Sequence, residues 1–189
     1  MNFEYITERA HPMYRRALEL YQASFPYHEQ REALSQEQIL QDSSYRFGLI
    51  YDKTLFVGLV LCWETEDFLY IEHLCICPEL RNQQYGRKAL SLLQEKRKCI
   101  ILEIDPPEDA ISKRRKGFYE SCGFVENPFA HIHPPYHPEY AGHRLVLMTY
   151  PQVLPAHIYD MFSQYLRERI MHGAFVGGNS GESAEQKAD

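Results

Sequence analysis

No apolar run in the chain is long enough to cross a bilayer, which takes about 20 consecutive apolar residues. The opening Met1-Asn2-Phe3-Glu4-Tyr5 has neither the basic region nor the apolar region of a signal peptide, so a cytoplasmic location without a membrane partner is expected. Positive charge is also short: 20 Lys and Arg stand against 26 Asp and Glu, a net charge of -6. A nucleic-acid groove needs a basic face, so nucleic acid is excluded as the main partner, and the balance mildly favours amine-bearing ligands. There are five cysteines (Cys62, Cys75, Cys77, Cys99 and Cys122), an odd number, all within or beside apolar segments. That is the pattern of small hydrophobes in a reduced core, not of a disulfide framework. No internal repeat is visible.

What is present suffices for one domain. Apolar residues make up 44% of 189 and aromatics 13%, enough for a sizeable core. Residues 3–8 read as a first strand, and Tyr14, Ala17, Leu18, Tyr21 and Phe25 recur at helical spacing, with Pro12 suited to the first turn. Ser35 followed by Gln38 has the form of a capping box opening a short helix. Strands are expected over 45–51, 54–64 and 67–77, with turns at Asp52-Lys53 and Thr65-Glu66. A helix over 86–97 and a strand over 99–104 follow; the apolar run of that strand implies burial on both faces. Glu108-Asp109 favour the start of another helix, and Gly123 suits its end. A strand over 124–129, a loop over 127–140, a strand over 143–150 and a closing helix around residues 158–170 complete a single domain over 1–176, with a disordered tail over 177–189. The order predicts an α/β fold: a mixed sheet covered by helices, its parallel crossover joining the strand ending at Cys77 to the strand at Cys99.

The most informative stretch joins those two strands. Arg81-Asn82-Gln83-Gln84-Tyr85-Gly86-Arg87-Lys88 lies between an apolar strand and a helix. The first N–H groups of a helix have no partner within it, and its dipole is positive there, so this arrangement suits an anion such as a diphosphate. Gly86 would allow close backbone approach, and Arg81 or Arg87 could add charge-assisted bonds. Basic residues at a helix start are mildly unfavourable unless an anion is bound.

This stretch resembles the acyl-CoA loop of the GCN5-related N-acetyltransferases, the GNAT family, matching at Arg81 and Gly86 with Gln84 where that family has its first glycine. A second match lies downstream, where Arg115-Lys116-Gly117-Phe118-Tyr119-Glu120-Ser121-Cys122-Gly123-Phe124 is similar to the family's late helix with its tyrosine. The resemblance covers residues 45–150 and implies a GNAT-like fold with a splay between the two parallel strands. It also implies acetyl-CoA as co-substrate and transfer of acetyl to a primary amine by direct attack in a ternary complex. By the same resemblance the main chain of Leu74, Cys75 and Ile76 would bind the pantetheine arm, and Asn82, Gln83, Gln84, Tyr85, Gly86 and Arg87 the pyrophosphate. Ser112 would bind a cofactor amide, Tyr119 would protonate the leaving thiolate, and Glu72 would be the base.

Glu72 attracts attention on physical grounds as well, because a carboxylate inside so apolar a strand is unusual. Burial would raise its pKa toward neutrality; His73 and Glu103 are its rivals. If φ at Gln84 is negative, glutamine costs nothing there. A metal held by His73, Cys75 and Cys77 would draw all its ligands from one strand, and the His131, His133, His137 loop lacks cysteine partners, so no metal is expected. That loop reads better as a substrate-side wall, and the cluster at residues 113–116 as a solvated helix face. The alternative function is a non-catalytic acyl-CoA-binding sensor or scaffold. Acceptor identity and oligomeric state are left open, a homodimer included.

Overall fold

A computed structural model of the chain describes residues 1–174; the tail expected from Gly177 lies outside the described residues. The elements are β1 (Asn2–Ile6), α1 (Tyr14–Ser24), α2 (Ala33–Ile39), β2 (Tyr45–Asp52), β3 (Leu55–Glu64), β4 (Phe68–Ile76), α3 (Tyr85–Gln94), β5 (Cys99–Ile104), α4 (Ala110–Ser121), β6 (Val125–Glu126), β7 (His131–His133), β8 (His143–Tyr150) and α5 (Ala156–Tyr165), the last continuing into a π-helical turn, Leu166–Ile170.

The sheet order is β1-β2-β3-β4-β5-β8-β6, with β7 paired to β8. Only β4 and β5 run parallel; every other pair is antiparallel. One face carries α1 and α5: Tyr14, Ala17 and Tyr21 pack with Phe47, Trp63, Phe162 and Leu166. The other carries α3 and α4: Ala89, Leu90 and Leu93 pack with Val60, Ile71, Leu102 and Met148, flanked by Phe118 and Tyr119. Residues 56–63 of β3 are all buried, as a central strand between two helical layers requires. A helix start with a strong cap lies at α4, where the Asp109 carboxylate accepts from the N–H groups of Ile111 and Ser112, and the Ser112 hydroxyl accepts from the Asp109 N–H. Gly123, at φ +87°, terminates the same helix in the left-handed region that favours glycine.

Several local expectations are corrected. Ser35 caps nothing: α2 starts at Ala33, and Ser35 lies inside it, buried, its hydroxyl accepting from Arg31 Nη1 at 3.4 Å. Pro12 sits in the turn ahead of α1. The turn between β2 and β3 is shifted by one residue, to Lys53-Thr54, with Lys53 at φ +57°. The strand expected over 124–129 shrinks to β6, and three residues of the expected loop, His131–His133, form β7 instead. Proline content correctly marks the chain around it as irregular, but β8 offers a free edge that the local composition does not reveal.

Candidate active site

Parallel pairing between β4 and β5 spans Phe68↔Cys99 to Ile71↔Leu102 and stops there. Beyond it β4 continues to Ile76 and β5 to Ile104, each bonded only to its other neighbour. This splay is the crevice beside the carboxyl ends of parallel strands where ligands bind in open sheets. A cavity of about 1070 Å³ fills it. Its wall includes Leu74, Cys75 and Ile76, the 81–87 segment except Gln83, Phe118 and Tyr119 on one side, and Glu29, Glu72, His73, Glu103, His133 and Tyr136 on the other.

At the first end, the earliest helical bond of α3 joins the Lys88 N–H to the Gln84 carbonyl. The N–H groups of Tyr85, Gly86 and Arg87 therefore have no partner within the helix. Asn82 and Gln84 adopt φ +64° and +65°. Gln84 thus does not have the negative φ at which it would cost nothing; it holds a left-handed conformation that glycine adopts without penalty. Its side-chain oxygen accepts from Arg87 Nε at 3.2 Å. Gly86 has an ordinary φ, and its need is for space: a Cβ there would lie 3.2 Å from Phe118 Cζ, where α3 and α4 touch. The guanidinium of Arg87 is committed to the end of α4, donating to the Ser121 carbonyl at 2.6 Å and hydroxyl at 2.8 Å. Arg81 donates through Nε to the Ile76 carbonyl and remains exposed.

Ser112 is corrected as a cofactor contact. It is buried, does not line the cavity, and its hydroxyl serves the capping box with Asp109. Ile111, Arg114 and Arg115 line the cavity in its place. Tyr119 does line it, its ring edge-on to Phe118 and Phe124. Burial, against the opposing pull of Arg115, pushes its phenol up to about 12. Cys75 lines the cavity too, but burial raises its thiol to about 11, so it is no thiolate nucleophile.

At the second end, the register between β3 and β4 slips: Leu61 pairs with His73 and Cys62 with Ile71, leaving Glu72 as an extra residue. This bulge turns Glu72 and His73 toward the same face. The expectation of a free carboxylate with raised pKa is overturned. Glu72 accepts from Arg31 Nη2 at 3.1 Å, Tyr136 Oη at 2.9 Å and Trp63 Nε1 at 2.8 Å. Burial pulls its pKa up, but Arg31, His73 and those donors outweigh it, and the carboxyl ends below its usual value. Arg31 also donates to the Ile170 carbonyl at 2.7 Å, tying the π turn to this floor.

Glu103 likewise ends depressed: burial raises it, while His133, His131 and the Tyr70 hydroxyl, at 2.6 Å, together outweigh the burial. Both carboxylates are thus acceptors held ionised. The imidazoles differ. His73 Nε2 donates to the Glu29 carbonyl at 3.0 Å, and burial drives its pKa down to about 4. His133 Nδ1 donates to the Pro134 carbonyl at 2.6 Å. A carbonyl only accepts, so each ring carries a proton on that nitrogen. The other ring nitrogens, His73 Nδ1 and His133 Nε2, are buried without partners. His133 Nε2 stands 3.9 Å from Glu103 Oε2. The sequence marked this histidine only as part of a loop; β7 pairing with β8 brings it over Glu103.

The profile of the Acetyltransferase (GNAT) family matches residues 10–124. The Bacillus subtilis (strain 168) protein named "Putative acetyltransferase YjbC" is 28% identical over 99 residues, 51% of this chain and 50% of its own length, so the chain spans about half of that relative. Among solved structures, a GNAT-family protein of Bacteroides thetaiotaomicron superposes with a TM-score of 0.84 at 29% identity, over 90% of this chain and 98% of that one. The Escherichia coli ribosomal-protein-S18-alanine N-acetyltransferase shares the fold, with a TM-score of 0.54 at 20% identity over 82% of this chain and 96% of its own. An aminoglycoside 6'-N-acetyltransferase solved with coenzyme A does so as well, with a TM-score of 0.53 at 14% identity over 79% and 96%. With the family profile covering more than half of its length, the chain belongs to the acetyltransferase (GNAT) family.

Proposed function

We propose that the protein transfers an acetyl group from acetyl-CoA to a primary amine by direct attack within a ternary complex. The observation that carries this reading is the cavity in the β4/β5 splay, whose lining joins the residues at the start of α3, Tyr119 and His133 in one space. The main chain of residues 74–76 would hold the pantetheine arm, and the N–H groups of 85–87, with Arg81, the pyrophosphate. Acetyl-CoA supplies the thioester carbonyl carbon that the amine attacks.

The base in this reading is His133, not Glu72. Glu72 has three donors and a depressed pKa, and His73, near 4, is too weak a base at neutral pH. His133 Nε2 would take the ammonium proton, and the Glu103 carboxylate at 3.9 Å would stabilise the resulting imidazolium. The neutral amine then forms the C–N bond, the C–S bond breaks, the Tyr119 hydroxyl gives its proton to the departing thiolate, and the second proton shed by the new amide nitrogen restores the phenol. A phenol held near 12 is fully protonated at neutral pH, so it serves as donor rather than base.

Release of CoA from acetyl-CoA with a panel of amines tests the activity. Binding of acetyl-CoA with transfer to no amine would favour a sensor or scaffold module. Within an active protein, Tyr119→Phe should lower kcat by about a hundredfold to ten-thousandfold, or roughly 3–5 kcal/mol of barrier, with Kd for acetyl-CoA nearly unchanged. An unchanged kcat per folded molecule would remove Tyr119 as the acid.

A further inference from the structure

Outside the proposed chemistry, the mouth of the acceptor half holds a group of side chains with no assigned task. His28 and Glu29 come from the 3₁₀ turn Tyr27–Glu29, His143 from the start of β8, and Asp105 from the residue after β5. All four line the cavity. One ligand atom each from His28, Glu29 and His143 lie within 4.8 Å of one another. His28 Nε2 is 3.6 Å from Glu29 Oε1, and His143 Nε2 is 3.8 Å from Asp105 Oδ1.

Charge singles out Glu29. Asp105 is neutralised through its other oxygen by Arg115 Nη1 at 2.7 Å, which leaves Oδ1 turned to His143. Among the described residues no lysine or arginine forms an ion pair with Glu29; its one ion-pair partner is His28. Glu29 thus meets two imidazoles along one cavity wall without a paired lysine or arginine.

We propose that His28, Glu29 and His143 form a zinc-class divalent metal site at the mouth of the acceptor chamber, with Asp105 orienting His143. Two imidazoles and one carboxylate, drawn from separate elements, are a donor set that suits zinc. With bonds of about 2.0–2.1 Å, tetrahedral ligands stand roughly 3.3 Å apart. The present separations run from 3.6 Å for His28 and Glu29 up to at most 4.8 Å, and the side chains are between one-third and one-half exposed. Three protein ligands leave a fourth position open to the cavity. A bound ion would join the 27–29 turn to β8. This inference does not depend on acetyl transfer.

The test is a titration of the full chain, kept reduced, with Zn²⁺ followed by calorimetry and with Co²⁺ followed by visible absorption. The site predicts one ion per chain, and a rise in melting temperature with Zn²⁺ concentration. His28→Ala with His143→Ala should weaken binding by more than about tenfold, while unfolding in EDTA matches the unsubstituted protein. No binding with metal in large excess would overturn the site. So would binding that the double variant retains, which would locate the metal elsewhere, at the cysteines for instance. Because the readout is metal binding, an absence of acetyl transfer would leave this result intact.

Discussion

Along the wall made by α3 and the far end of β4, the groups facing the cavity are largely main chain: the unpaired edge of residues 74–76 and the first N–H groups of α3. Along the wall made by the bulge at Glu72 and His73, β5, β7 and the 27–29 turn they are side chains, held by one another over long sequence distances. Glu72 meets Arg31 across 41 positions and Tyr136 across 64. Main-chain sites tolerate substitution wherever backbone conformation survives. Side-chain networks fail when one member is lost, because the remaining partners are left buried and unsatisfied. The first wall should therefore report changes in binding, and the second changes in stability and chemistry.

The largest expected break of this contrast is Arg31→Ala. Its side chain and that of Glu72 are 1% and 2% exposed. Removing one partner of so buried a pair costs about 3–5 kcal/mol, to be read from chemical denaturation. A loss well under that range would mean that water enters and screens Glu72.

The second break is made with pH. His73 titrates near 4 in the folded protein against an ordinary value near 6.5. Below the ordinary value the unfolded chain takes up a proton that the folded one refuses, so this contribution is full above about pH 6.5 and is lost as pH falls toward 4. The loss amounts to about 3 kcal/mol. His73→Gln should flatten that part of the stability profile. The depressed Glu72 and Glu103 act in the same direction at lower pH: their contribution stands above the ordinary carboxylate value and fades as pH falls through their folded values. An unchanged slope in His73→Gln would assign the whole dependence to the carboxylates.

On the main-chain wall the effects should be smaller and confined to binding. Acetyl-CoA at a hundred times its Kd should stabilise the protein by about 2.7 kcal/mol, seen as a rise in melting temperature. Gly86→Val, whose Cβ meets Phe118, should abolish that rise while the protein still folds. A normal rise would move the diphosphate away from this loop. The smallest change is Gln84→Gly. At φ +65° glutamine carries left-handed strain of roughly 1–2 kcal/mol, partly offset by the greater freedom of glycine in the unfolded chain. A net gain of about 1 kcal/mol or less in stability is expected. A clear loss would show that the Gln84–Arg87 bond outweighs the strain.

The same contrast explains what the sequence disclosed. β5 and β8 could be read residue for residue, since apolar runs and prolines mark their ends locally. Arg81 and Gly86 stood out because a strand, a turn and a helix in succession define a helix start without any distant partner, and Tyr119 because its segment resembles the family's late helix. The capping box was placed at Ser35, although the one that forms joins Asp109 to Ser112; both spacings fit, and only tertiary burial separates them. The bulge at Glu72 was not legible, because the slip belongs to the pairing with β3 and leaves no mark on β4 alone. Nor was the role of His133, whose surroundings depend on β7 finding the edge of β8.

The bond from Arg31 to the Ile170 carbonyl gives the domain an order of completion in time. Chains leave the ribosome N-terminus first, so Arg31, Glu72 and Tyr136 emerge before the turn that closes over them. Until residues 166–170 follow, the guanidinium lacks its carbonyl, and Leu166 and Ile170 have not yet filled the core beside Trp63. A nascent chain halted before that point would hold Arg31 against Glu72 with its second acceptor still missing.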